Sequence, residues 1–173
     1  DNEAYNITQA QLLLAALLFY PYIICVGEMR DREEYSAIEA SSTDHTVVST
    51  VHGVGGRFAH RRIASLAYQN FEKQSLQQAA LAFPVVVFAH KLEDNSRKVT
   101  DITECVVGDD GELIYRKLWQ YRIYCNEYEN GRFRVEGKFE RVNPISDSLR
   151  LKLLRGGVPQ ELLGQYTGKE QTE

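Results

Sequence analysis

The sequence predicts an α/β fold in which parallel strands with flanking helices give way to antiparallel hairpins. Three observations carry that prediction. Apolar runs of strand length, YIICV at 22–26 and VVSTVH at 47–52, alternate with helix-patterned segments through the first half. After Pro84 the texture changes to alternating runs divided by the turn clusters EDNSRK, GDDGE and NEYENG. With 173 residues and 43% hydrophobic content, the chain is long enough for one moderate core.

Each element follows from its local pattern. Residues 8–19 form a helix, with Thr8 placed to cap its exposed amide groups. Residues 22–26 are apolar at every position, the mark of a parallel strand buried on both faces. A second helix spans 31–42, and its acidic start at Asp31 suits the positive end of a helix dipole. The next strand is 47–52. Amphipathic helices at 57–68 and 74–83 follow, and Pro84 stops the second just before the strand VVVFAHKL. The runs KVTDITECVV, ELIYRKLWQYRIYC and RFRVEGKF read as antiparallel hairpins. Ser146 caps a helix that ends at Gly156-Gly157, a short helix comes after, and the polar tail TGKEQTE is expected to be disordered. The expected partition is 1–95 for the parallel part, 96–142 for an antiparallel extension of the same sheet, and 143–173 for terminal helices and tail.

Composition narrows the function. The formal net charge is −4, whereas proteins that neutralise nucleic-acid phosphates or anionic lipids carry a basic excess, so no nucleic-acid partner is expected. The cysteines, Cys25, Cys105 and Cys125, are odd in number and read as small core hydrophobes in a reducing cytoplasm. The block LLLAALLFYPYIICV is shorter than the ~20 residues a membrane helix needs, and Pro21 divides it. The start DNEAYNITQAQ has no basic segment of the kind that opens a signal peptide. It does not begin with Met, so the chain is expected to be part of something longer.

Candidate chemistry lies at the strand ends. In α/β sheets functional side chains collect at the carboxyl ends of strands, and Glu28 and His52 both follow such runs. A carboxylate there can orient the water that attacks a phosphate or organise the shell around Mg²⁺, and a neighbouring histidine can sense the phosphate. Taken singly, a strand-end Glu is more often a solvated cap and a strand-end His more often structural. His60 and His90 have no acid or cysteine at ligand spacing, which disfavours a metal site. Arg57, Arg61 and Arg62 read as a solvated helix face, and the KLWQYR run at 117–122 as a half-buried hairpin rather than a nucleic-acid platform. Asp109-Asp110-Gly111 is explained by a hairpin turn without calcium.

The joint spacing is more specific. IICVGEMRDREEYSAIEASSTDHTVVSTVHG resembles the Walker B to His-box region of the secretion and pilus motor ATPases through Gly27, Glu28, Arg30, Asp31, Glu33, Thr43, His45, Thr50 and His52. GRFAHRRIASL is similar to the helix after the His box through Arg57, Ala59 and Arg62. SRKVTDITECV is similar to a later strand through Arg97, Val99, Thr100, Ile102, Thr103 and Glu104. The ending NPISDSLRLKLLRGG is similar to the CpaF-like branch.

The resemblance implies part of a RecA-like P-loop NTPase domain from a hexameric, cytoplasmic ATPase peripheral to the inner membrane. Such a motor uses ATP and Mg²⁺ to work on pilus or secretion platform proteins. It implies a catalytic Glu28, a phosphate-sensing His52, and nucleotide-linked roles for Arg30, Arg62 and His45. Departures accompany it: no G-x-x-x-x-G-K-[ST] phosphate loop occurs in these residues, Asp44 stands where the family has Gly, and Gly53-Val54 where it has a small residue and Asn. Without that loop the isolated chain is expected to be inactive. The alternative is a non-catalytic docking module of the same platform.

Overall fold

The computed structural model describes residues 6–30, 33–43, 45–67 and 73–167. Asp31, Asp44, Tyr68 and the tail from residue 168, which figure in the expectations above, lie outside the described residues. The chain is a mixed α/β protein that divides into two compact units, 1–83 and 84–173.

The first unit begins with α1 (Gln9–Leu17). Its start is a capping box: the Gln11 amide donates to Thr8 Oγ1 at 3.2 Å, and the Thr8 amide donates to Gln11 Oε1 at 2.9 Å. Pro21 disfavours helical geometry in the residue before it, and Tyr20 turns into the left-handed region at φ 51°. Two short parallel strands follow, β1 (Ile23–Val26) and β2 (Thr46–Ser49), paired Ile23 to Thr46 through Val26 to Ser49. Between them lies α2 (Glu33–Ser42), and after them come α3 (Gly56–Ala67) and α4 (Lys73–Ala82).

The core of this unit joins Ile24 and Val26 of β1 to Met29, Leu13, Ala37, Ile38, Ala40, Ile63, Ala64 and Ala79. Small helix residues let the backbones approach closely. The expectation that β1 is buried on both faces is corrected: Ile24 and Val26 are buried, but Ile23 and Cys25 on the other face are exposed. Strand alternation sends neighbouring side chains to opposite faces, and the core residues gather on one of them. The reading of Cys25 as a core residue falls with it, while Cys105 is buried and Cys125 half-buried. Helix α3 turns Gly56, Ala59, His60, Ile63 and Ala64 inward. His60 Nε2–H donates to the Phe83 carbonyl at 2.7 Å, and burial holds the imidazole below its ordinary pKa. That hydrogen bond gives the histidine a structural task.

The second unit is an antiparallel sheet of β3 (Val85–Lys91), β4 (Arg97–Val107), β5 (Leu113–Glu129) and β6 (Arg132–Arg141), in that order, followed by α5 (Asp147–Arg155) and α6 (Gln160–Gly164). The two compact units meet at Pro84, and the hairpins form a four-stranded sheet separate from the two-stranded parallel pair. The short 92–96 connection permits a direct hairpin, whereas a parallel pairing of VVVFAHK would need a crossover. Asn130 and Gly131 take φ values of 51° and 76°, the pair of left-handed residues a two-residue hairpin loop requires. The KLWQYR run lies in β5, where Lys117 pairs with Asp101 at 2.6 Å and Trp119 packs edge-on to Tyr166.

Glu104, on β4, is buried and ties α5 to the sheet. It accepts the Ser146 amide at 3.0 Å and the Ser146 hydroxyl, while Ser146 Oγ accepts the Leu149 amide at 3.1 Å as the helix cap. A carboxylate at the amino end of a helix is favoured by the dipole.

Gly137 marks the close approach of β6 to β5. A Cβ there would stand 2.5 Å from Tyr121 Cε1 and 2.6 Å from the Arg122 carbonyl oxygen, next to the irregularity between Ile123 and Cys125. Gly137→Ala is expected to destabilise the protein by about 1–3 kcal/mol through overpacking. Urea unfolding checks this, and an unchanged midpoint would mean that β6 can shift away from Tyr121 at no cost.

Candidate functional site

The site is built where β1 and β2 end. Their pairing continues past the strands: the Met29 amide donates to the Thr50 carbonyl at 2.9 Å, and Thr50 Oγ1–H donates to the Gly27 carbonyl at 2.6 Å. Both bonds fix the segment carrying Glu28. Met29 anchors it from below, being buried in the core. The adjacent-strand geometry expected from the sequence is therefore present, with Glu28 and His52 leaving on the same rim.

Glu28 meets two basic side chains. Its Oε1 lies 3.0 Å from His52 Nε2, and its Oε2 accepts a hydrogen bond from the Arg30 guanidinium. The side chain of Glu28 keeps 23% of its exposure, against 75% for Arg30 and 91% for His52, so a sheltered carboxylate is held by two outlying cations or donors. The hydrogen bond from Arg30 is the main cause that lowers the Glu28 pKa below the model-compound value of 4.5; desolvation opposes it, and the charges of Arg30 and His52 add to it. Such a carboxylate stays ionised at neutral pH. It can accept protons or hydrogen bonds from water, and it can orient a cation's water shell.

The remaining expected residues are distributed differently. His45 precedes β2, at the opposite end of the strand from His52, and packs edge-on to Tyr20 with ring centroids 5.4 Å apart. Its Nδ1 lies 3.3 Å from Thr43 Oγ1. Arg62 is exposed on α3, on the side away from the buried stripe of Ala59, Ile63 and Ala64. The structure thus joins Glu28, Arg30 and His52 and leaves His45 and Arg62 outside that trio. Thr50, matched in the sequence as a pattern residue, emerges as the tether between the two strand ends. Its hydroxyl next to a strand terminus was the available signal, but hydroxyls at such places usually bond their own segment.

Magnesium is held by oxygen ligands, commonly one or two carboxylates with substrate phosphates and water. Among the described residues no group of three His, Cys, Asp or Glu side chains could hold a metal ion.

With this geometry in view, comparison with known proteins is informative. The model of the family described as type II/IV secretion system protein matches residues 2–138. The chain belongs to that family. It is 28% identical over 159 residues to the protein transport protein HofB homolog of Haemophilus influenzae, covering 90% of this chain and 33% of that protein. It is 31% identical over 105 residues to the uncharacterized protein MJ1287 of Methanocaldococcus jannaschii, covering 60% and 38%. The type II secretion system protein E of Pseudomonas aeruginosa is 35% identical over 82 residues, covering 47% and 16%. The solved structure of the Legionella pneumophila ATPase DotB aligns with 96% of this chain and 37% of its own length, at 17% identity and a TM-score of 0.43. The chain spans less than two fifths of these relatives.

The assigned electrostatics have a direct check. Arg30→Gln removes the largest cause of the Glu28 shift, so the Glu28 carboxyl should titrate at higher pH than in the wild type, measured by ¹³C NMR of its side-chain carboxyl. A folded-state pKa held low contributes stability above the unfolded value, lost as pH falls through the folded one; at this solvent-screened position that contribution is small. Identical titrations in the two proteins would remove Arg30 as the cause.

Proposed function

We propose that the chain is the portion of a nucleotide-hydrolysing secretion or pilus-assembly motor that carries the catalytic carboxylate and its sensor. One observation carries this reading: Glu28 and His52 come from the ends of adjacent parallel strands and meet at 3.0 Å. Membership of the secretion family supports it. Glu28 would orient the attacking water, and His52 would stand where the terminal phosphate of ATP is read. Arg30 supplies a guanidinium suited to phosphate oxygens. Arg30 with Arg62 would connect nucleotide state to the neighbouring subunits of a ring. Mg²⁺, when bound, neutralises phosphate charge. Glu28 would reach it through water.

The phosphate cradle would come from parts of the parent protein that these residues do not cover, within a RecA-like domain. The parent would be hexameric and cytoplasmic, working at the inner face of the membrane on pilus or secretion platform proteins, and the NPISDSLRLKLLRGG ending supports a CpaF-like placement. Among the described residues no helix is long and apolar enough to cross a membrane.

In the full-length protein Glu28→Gln should lower ATP turnover ~100-fold or more while nucleotide binding persists, because shape is kept and the accepting charge is lost. His52→Ala should lower it less. The 173-residue chain alone should release no phosphate beyond a Glu28→Gln control. Undiminished turnover in full-length Glu28→Gln would contradict the role of Glu28; nucleotide-independent platform binding with no turnover in the full-length wild type would favour a docking module.

A further inference from the structure

The two donors on Glu28 are arranged asymmetrically. The backbone that carries Glu28 is held in place, because the residues on either side of it are bonded to Thr50 and Met29 is buried. The Arg30 and His52 side chains are largely solvent-exposed, at 75% and 91%, against 23% for Glu28. Each takes a different oxygen of the same carboxylate. Among the described residues, Arg30 and His52 are the charged or titratable groups that act on Glu28.

We propose that Arg30 and His52 form a clamp that keeps Glu28 from orienting water, and that the terminal phosphate of a bound nucleoside triphosphate draws both donors onto itself and releases the carboxylate. This deepens the nucleotide-hydrolysing reading above and rests on it. A phosphate group presents more negative charge and more acceptor oxygens than one carboxylate, and a guanidinium binds it through two parallel hydrogen bonds. A carboxylate already neutralised by a cation is a weak acceptor for protons from water. Exchange of the donors therefore couples phosphate arrival to an available carboxylate. With no phosphate in reach, Glu28 stays paired and water at the rim is not activated. Arg30 and His52 thus act as positioning residues as well as phosphate contacts.

The test compares structures of the full-length protein without nucleotide and with Mg²⁺, ADP and aluminium fluoride. In the first, Glu28 should bond Arg30 and His52; in the second, both should have left hydrogen-bond reach of Glu28 and stand on the fluoride complex. Retention of both bonds to Glu28 with the fluoride complex bound would overturn the proposal. Kinetics give a second readout. The acid limb of kcat, which reports the substrate complex, should lie at higher pH than that of kcat/KM, which reports the free enzyme, and Arg30→Gln should bring the two limbs together. Coincident limbs in the wild type would also overturn the exchange. Failure of the underlying reading looks different: full-length Glu28→Gln would then keep its turnover, and the exchange would fall with it.

Discussion

The site depends on the double use of Thr50. Its carbonyl accepts the Met29 amide and its hydroxyl donates to the Gly27 carbonyl, so two four-residue strands remain coupled beyond their last ladder pair. Each bond is worth only about 1 kcal/mol net. Their importance is geometric. The segment 27–30 and the segment 50–52 leave the sheet side by side, and a carboxylate and an imidazole arrive at hydrogen-bond distance from chain positions 24 residues apart. A slip of one residue in the β1–β2 register would turn Ile24 and Val26 out of the core, so burial of those side chains enforces the same alignment.

Energetically, the trio of Glu28, Arg30 and His52 is a poor stabiliser. Solvent screens its exposed members, so the pairs add little to stability. What the arrangement supplies is orientation and charge: a sheltered carboxylate kept ionised beside two donors that can face a polyanion. The second unit shows the opposite use of a carboxylate. Glu104 is buried, fully engaged by Ser146 and placed at a helix start, which makes it an anchor for α5.

Much of this was legible in the sequence because periodicity and turn chemistry are local. The helix cap at Thr8, the Asn130-Gly131 loop and the cap at Ser146 are each signalled by adjacent residues. Glu28 and His52 were legible as strand-end residues, His52 directly after an apolar run and Glu28 after one closed by Gly27. Features set by distant partners were not. YIICV cannot reveal that only one of its faces meets helices, nor VVVFAHK that its partner is the next strand in sequence. A pattern match groups His45 with His52, yet the six residues between them carry the chain along β2 from one end to the other.

The central claim is that Glu28 and His52 serve one chemical event. A double-mutant cycle on ATP turnover by the full-length protein tests it most directly, using Glu28→Gln, His52→Ala and the combination. Residues acting as a unit are strongly non-additive, so the double variant should be no slower than Glu28→Gln alone. Losses that multiply, each substitution imposing its full effect regardless of the other, would contradict the account.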